Sequence, residues 1–467
     1  MPRRQHVVIV GGGFSGAITA LHLVRGDASG RYEVTVVNPT PHIGRGLAYR
    51  FDDDNLLLNV PAGNMSALAD EPNHFVAYCQ GIDPSINSGS FVSRRLYGEY
   101  LQDLWSKALA GCHGLVRARV DEAVALIRVD GSPGWCVSLA SGQSVQADQV
   151  VLATGHQAPK FPIPVESEVQ ARVIGPWDFA AMRRLAYDGP IVIVGSGHTA
   201  IDALFCFAQS QPPRPIYLLS RHGLLPQRHR LSPAPPKQHA FPDYLRDIPA
   251  TVRDYTRALR QHLKTAAHQG RDWRDTLNEL RSHTPSLWQS WSVVEQRRFL
   301  RHLQAYWDIH RHRLAPTAAQ RLDRLMAARQ ARPLAGRVLS VQKAAQGVAV
   351  HWRPRGAQHT ATLQASAVIN CTGPDTNIRQ PSSSLFAQLL HAGLIQPDAH
   401  GLGLAVSPDH RVLNSQRQPV DHLWYVGPLL KGVHWEATAV PELRVHAQRL
   451  ALTLLAQSAT ASGGATT

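Results

Sequence analysis

Short, unbroken runs of apolar residues, each closed by glycine or a small polar residue, recur along this chain. Residues 7–10, 149–152 and 191–194 read as strands buried on both faces of a parallel sheet. Residues 32–37, 215–219 and 423–426 supply further strands beside them. Two of the runs pass through a glycine turn into an apolar, helix-permissive stretch: 7–10 into 17–24, and 191–194 into 201–208. Between 116 and 144 the pattern shortens into alternating segments with turns at Asp130-Gly131 and Ser141-Gly142, which predicts a β-meander, and 337–353 repeats the style. Residues 91–110 predict an amphipathic helix carrying Arg94, Arg95 and Tyr100. Residues 224–332 predict a mostly helical segment broken at Pro226, Pro233, Pro235, Pro236, Pro242 and Pro249. An apolar helix over 440–455 closes the pattern, and the small, polar residues 458–467 predict a disordered tail. The fold class is therefore α/β, with two Rossmann-like dinucleotide-binding domains and a helical insert.

The glycines between strand and helix carry the first chemistry. Gly11, Gly13 and Gly16 fit G-x-G-x-x-G: one for the tight turn, one for backbone approach to a pyrophosphate, one for close helix packing. The helix start after them offers unpaired N–H donors to phosphate. Gly195, Gly197 and Ala200 repeat the motif, with Ala200 in the third glycine's place and His198 and Thr199 inside the turn. After the first motif, the strand ends at Asn38 where an acidic ribose ligand is usual; an amide still bonds a hydroxyl. After the second, Ser220 and Arg221 stand there instead, a hydroxyl and a guanidinium suited to a 2′-phosphate, so NADPH is expected over NADH.

The 467 residues exceed one ordinary core, and 44% hydrophobic with 18% charged residues fits a globular protein. The net charge of +14 is concentrated: residues 221–337 hold 22 Lys/Arg against 9 Asp/Glu. Such a patch attracts acidic ligands or nucleic acid, or is simply a solvated helical face. Cys79, Cys112, Cys136, Cys206 and Cys371 form no C-x-x-C or other close pair, which argues against a dithiol centre or a cysteine zinc site. His310 and His312, two apart on a helix, point to different sides, so no metal is expected there. Trp288, Trp291, Phe299, Tyr306 and Trp307 are spaced to share one helical core face. Few residues precede the first strand and no apolar run spans a bilayer, so a cytosolic protein without membrane contact is expected.

The order of parts resembles the two-dinucleotide-binding-domain flavoproteins, in which an NADP domain interrupts an FAD domain. More narrowly, it resembles a bacterial FAD/NAD(P)-binding protein family, distantly similar to N-hydroxylating and flavin-containing monooxygenases. The resemblance is carried by Gly44-Arg-Gly-Leu-Ala-Tyr49, Asn59-Val-Pro-Ala-Gly-Asn-Met-Ser66 and Ser220-Arg-His-Gly-Leu-Leu-Pro226. Tyr306-Trp-Asp-Ile-His-Arg-His-Arg313 and Trp435-Glu-Ala-Thr-Ala-Val-Pro-Glu-Leu-Arg444 carry the rest. It implies an FAD domain at 1–165 and 366–457, and an NADPH domain at 166–365 with its basic insert at about 224–335. It implies FAD at Gly11, Gly13, Phe14, Ser15 and Gly16, with Asn38 near the adenosine and Gly46 in the covering loop. Asn59, Met65 and Ser66 would flank the flavin, and Thr154 and Gly155 would mark the crossing point. Gly427 precedes Pro428, where many relatives place an aspartate, so that contact must differ. The fingerprint of Baeyer–Villiger enzymes, a histidine preceding Trp-Pro, is not reproduced around Ile174-Gly-Pro-Trp177. The implied chemistry is hydride transfer from NADPH at Gly195, Gly197 and Arg221 to the flavin, then addition of molecular oxygen at flavin C4a. His434, Trp435 and Glu436 are the candidates for facing a small substrate, an amine or an acidic metabolite. A reductase that inserts no oxygen is the alternative. A flavin-bound interaction protein docking nucleic acid is the remote one.

Overall fold

The computed structural model describes residues 3–112, 114–129, 131–185, 189–208, 213–231 and 239–463, with side chains only up to 457 in the last helix. Asp130 and the prolines at 233, 235 and 236 lie outside the described residues. The first sheet opens with β1 (Gln5–Val10), α1 (Phe14–Gly26) and β2 (Tyr32–Asn38). The helices α2 (His74–Gln80) and α3 (Arg94–Gly111) follow, then β3 (Val116–Val120). A separate antiparallel meander, β4 (Ala123–Arg128), β5 (Trp135–Leu139) and β6 (Ser144–Ala147), leads into β7 (Gln149–Leu152). β3 is thus not the meander's first strand, as its alternation predicts, but pairs in parallel with β2 at the edge of the main sheet.

Residues 159–165 then lead across to a second sheet. It contains β8 (Val173–Ile174), α4 (Phe179–Arg184), β9 (Ile191–Val194), α5 (His198–Phe207) and β10 (Ile216–Ser220). The insert follows: α6 (Val252–His268), α7 (Trp273–Arg281), α8 (Thr284–Ser290), α9 (Val293–His302), α10 (Gln304–Arg311) and α11 (Pro316–Ala327). Its first part, over the described residues 224–231 and 239–251, is irregular apart from one 3₁₀ turn, and Pro226, Pro242 and Pro249 there lack the N–H donor a regular helix needs. Thr251, Asp272 and Ser292 then cap α6, α7 and α9 with their side chains. The chain returns as β11 (Ala331–Lys343), parallel to β10, and completes the sheet with β12 (Val348–Pro354), β13 (Ala361–Ala365) and β14 (Ala367–Asn370). After α12 (Ser384–His391), β15 (Arg411–Leu413) and β16 (Pro419–Tyr425) rejoin the first sheet beside β7, and α13 (Val440–Gly463) ends the described chain. The helix backbone therefore enters the expected tail; residues 464–467 lie outside the description.

The first sheet has the order β15-β16-β7-β1-β2-β3. One of its faces is covered by α1, α3 and α13 around Ile9, Leu21, Tyr97 and Leu450, the other by the meander and α12 around Trp135 and Phe386. Tyr32 on β2 donates its hydroxyl to the Leu454 carbonyl at 2.6 Å, which pins α13 to the sheet. The chain leaves β1 toward β2 on one side and returns through β7 on the other, so a crevice opens between the carboxyl ends of β1 and β7. The second sheet repeats this: β10 lies on one side of β9 and β14 on the other.

Both crevices share one steric constraint. Gly11 has φ +109 and a Cβ there would sit 2.3 Å from the Ala153 carbonyl oxygen. Gly195 has φ +123 and a Cβ would sit 2.1 Å from that of Cys371. A Cβ on Gly16 would be closer still, 1.9 Å from the Gly11 carbonyl oxygen, so only glycine lets α1 pack on its strand there. By contrast Gly197, at φ −79, has open space around its Cβ position. Gly195→Ala is therefore expected to lower stability by at least about 1–3 kcal/mol from backbone conformation alone, while Gly197→Ala stays within about 0.5 kcal/mol of the parent. Urea unfolding of the two variants side by side checks this.

Candidate functional site

The first crevice is shaped for a phosphate-bearing ligand. Gly13 is the N-cap of α1 with no side chain closing it, so the first-turn N–H groups are open to an anion, with Phe14 and Ser15 buried just behind. The loop over 44–49 folds across this turn: Gly44 N donates to Gly12 O at 2.8 Å, and Gly46 Cα lies 3.6 Å from where a Gly13 Cβ would be. Thr154 and Gly155 are half-buried where the chain leaves β7. Gly427, at φ +140, turns the backbone into a 3₁₀ turn begun by the buried Pro428. A cradle that a Cβ would fill, at an open helix start, fits a dinucleotide.

Several expected ligands do other work. Asn38 Oδ1 accepts from Gly12 N at 3.0 Å and its Nδ2 donates to the Thr40 carbonyl at 2.7 Å, so the amide fixes the glycine turn. Met65 is 2% exposed inside the core. Ser66 is fully buried, its hydroxyl bonded to the Leu68 and Glu71 carbonyls, while its own carbonyl accepts from Arg444 Nη1 at 2.8 Å. Asn59 alone of that trio is half-exposed. The Ser66 hydroxyl and carbonyl are thus committed to holding the loop.

In the second domain, α5 begins after Gly197 with the same open N-terminus, carrying His198 and Thr199 in its first turn. Ser220 Oγ accepts from Gly223 N at 3.1 Å, closing the turn after β10, and Arg221 is exposed beside it. Arg355 joins Arg221 there; burial first, then these two guanidiniums, lower the His222 pKa. Arg355 follows β12, far along the chain, and no local motif points to it.

The parts meet through side chains the motifs do not name. His198 Nε2 donates to the His312 carbonyl at 3.0 Å, which fixes its tautomer, and burial lowers its pKa to about 4. His312 lies in the insert, and its own Nε2 is 3.9 Å from Glu436 on the loop before α13. Glu436, 3% exposed and at φ +74, also receives Trp307 Nε1 at 2.8 Å and faces Arg311 at 3.1 Å. Burial works against its charge, yet Arg311 and His312 hold the carboxyl down at about 2. Arg281 and Arg311 further bracket Glu442, in the first turn of α13, at 3.1 and 3.5 Å. Asp308 stands near the same knot; burial raises its carboxyl to about 6, with Lys431 opposing the rise. On the other flank, Arg94 of α3 pairs with Asp202 of α5 at 2.7 Å and ties the two nucleotide folds together.

His434, Trp435 and Glu436 therefore do not converge on one spot. Trp435 stacks on Trp288 with centroids 4.7 Å apart, meets Phe299 edge-on, and carries Lys431 over its ring. It walls a cavity of about 590 Å³ inside the insert, lined by Leu259, Leu277, Trp291 and Phe299 among others. Trp288, Trp291, Phe299 and Trp307 share this core as their spacing predicts, while Tyr306 lines the same cavity but is 41% exposed. His434 turns away toward His410 and His446. Those three histidines, 24 and 12 residues apart, form a cluster that no spacing rule detects.

Residues 8–157 match the model of an FAD-NAD(P)-binding family. An uncharacterized protein of Mycobacterium tuberculosis is 27% identical over 284 residues, 57% of this chain and 51% of its own. The chain thus spans about half the length of the curated relatives it matches. Among solved structures, the ornithine N-hydroxylase of Kutzneria sp. 744 aligns with TM-score 0.65 at 14% identity over 98% of this chain and 100% of that one. L-lysine 6-monooxygenase from Pseudomonas syringae aligns with TM-score 0.65 at 17% identity, over 96% and 99%. The fold is that of the two-dinucleotide-binding-domain flavoproteins, and no helix among the described residues is long and apolar enough to cross a membrane.

Glu436→Gln leaves the buried Arg311 with only its longer contact to Glu442, at 3.5 Å, so a loss of about 3 kcal/mol is expected at neutral pH. The carboxylate's contribution is complete above its ordinary value of 4.5 and is lost as pH falls through about 2. The gap between variant and parent, read by urea unfolding at pH 7 and pH 3, should therefore narrow at the lower pH.

Proposed function

We propose that this chain is an FAD- and NADPH-dependent oxidoreductase, and specifically a monooxygenase of a small metabolite. One observation carries the reading. The second glycine turn, the insert and the loop before α13 are joined through His198, His312 and Glu436. The insert thereby closes over the region between two dinucleotide cradles. When bound, the flavin supplies hydride acceptance from the nicotinamide and activation of oxygen. The chain's own residues bind, orient and exclude water. Gly11, Gly13 and Gly16 hold one pyrophosphate, Gly195 and Gly197 the other, and Arg221 with Arg355 takes a 2′-phosphate. The half-buried Asp308, poised near neutrality, moves a proton to or from substrate, and Lys431 beside it favours an acidic group.

The similarity to an N-hydroxylase and a monooxygenase supports oxygen insertion, and the absence of a close cysteine pair along the sequence disfavours disulfide exchange. Arg221→Ala should raise KM for NADPH about tenfold or more and leave KM for NADH unchanged. NADPH oxidation measured with oxygen uptake, peroxide release and product detection over amines and carboxylated metabolites tests the reading. A substrate that raises turnover and appears as an oxygenated product, with little peroxide, is expected. NADPH turnover that never yields oxygenated product makes the chain a reductase. With the active substrate, the pH profile should show a limb near pH 6 that Asp308→Asn removes.

A further inference from the structure

Three imidazoles from three separate elements meet at one point. His410 lies on the turn before β15, His434 on the loop before α13, and His446 in the second turn of α13. Ring centroids stand 5.7 Å apart for His410 and His434, 5.1 Å for His410 and His446, and 4.8 Å for His434 and His446. One nitrogen from each ring can be chosen so that all three lie within 4.8 Å of one another. His410 is 1% exposed and His434 8%, while the half-buried His446 gives the cluster a route to solvent.

Packing explains this arrangement poorly. Among the described residues His434 Nε2 is buried with no hydrogen-bond partner, which a core histidine held only by packing and hydrogen bonds would not leave. The nearest carboxylate in sequence, Asp409, is occupied by Ser407 and Arg411 and neutralises none of the rings by a hydrogen bond. Three imidazoles face one another, with the Arg449 guanidinium as their charged neighbour, and together offer three ring nitrogens. That is the donor set of a borderline divalent ion, which takes histidine nitrogens at about 2.0–2.1 Å and, when tetrahedral, holds them about 3.3 Å apart. His410 Nε2 and His446 Nδ1 are already 3.2 Å apart. His434 needs only to swing inward, and its other nitrogen, Nδ1, is met by the Gln289 amide of α8 at 3.2 Å. With that amide turned so that Oε1 accepts from Nδ1–H, Nε2 is left free to ligate, the usual outer-shell support of a metal-bound histidine.

We propose that His410, His434 and His446 form a three-histidine site for a divalent transition metal of zinc type, with its fourth position open on the His446 side. Such an ion joins the β15 turn, α13 and the loop that carries Trp435 and Glu436, so its binding stiffens the seam where the insert docks. The test uses the full-length, flavin-loaded protein, stripped with a chelator and dialysed, then titrated with Co²⁺ and Zn²⁺. One equivalent of Co²⁺ is expected, with the intense visible bands of a four-coordinate ion, displaced by one equivalent of Zn²⁺ and accompanied by a raised Tm. His446→Gln, on the half-exposed ring, and His434→Gln should each weaken Zn²⁺ at least about tenfold with the flavin spectrum unchanged, and Gln289→Ala by about tenfold. Parent protein that binds neither ion stoichiometrically at micromolar concentration overturns the site. So does Zn²⁺ binding that His434→Gln and His446→Gln leave intact. If a variant fails to fold, the Co²⁺ spectrum of the parent decides alone.

Discussion

Everything in this molecule hangs on two places where backbone must pass closer to backbone than any side chain permits. At Gly11 and at Gly195 a left-handed turn brings the end of a central strand against the carbonyl of the neighbouring strand's exit, at Ala153 and Cys371. Those approaches set where α1 and α5 begin, and therefore where open helix N-termini face outward at the carboxyl ends of the sheets. The same device appears twice, the second sheet interrupting the first and the helical insert interrupting the second, so each cradle is completed by residues far apart in the chain. β16 beside β7 and β14 beside β9 supply the second walls.

Between the cradles, the structure spends buried charge on closure. Arg281, Arg311, Glu436 and Glu442 are removed from solvent to varying degrees, and such ions are tolerable only when mutually paired. Glu436 holds a positive φ in a residue that is not glycine, a conformation that persists only where its surroundings over-determine it. Trp307, Arg311 and His312 are those surroundings. Trp435, one residue earlier, is held by Trp288, whose indole N–H donates to the Gly432 carbonyl at 3.0 Å. The basic excess of the insert is thus partly structural: two of its arginines face inward to the last helix, and Arg230 is held by Asp272 and Asp275 within the insert itself.

The two glycine turns, their strands and the interrupting insert were legible because each rests on local constraints: apolar runs, missing side chains and turn residues. The edges were less so. β3 alternates like a meander strand yet pairs in parallel, since one exposed face looks alike in either setting. Met65 and Ser66 sit in a polar, glycine-rich stretch that reads as ligand loop, but burial and carbonyl partners decide their role, and those are long-range. Asp308, Arg311, His312 and Glu442 all fall inside segments that carry the family resemblance. Their pairing across the insert and α13 is tertiary and leaves no periodic trace. Arg355 and the histidine cluster are further cases in which separations of many residues hide a contact.

The central claim is that one polypeptide brings a nicotinamide held at Gly195 to a flavin held at Gly11. The most direct measurement is anaerobic stopped-flow mixing of the purified protein with NADPH while following the flavin's visible absorbance. A yellow protein whose absorbance bleaches in a single fast phase, saturating with NADPH, is what this account predicts. A protein that takes up no flavin, or one whose bound flavin NADPH leaves oxidised, would contradict it.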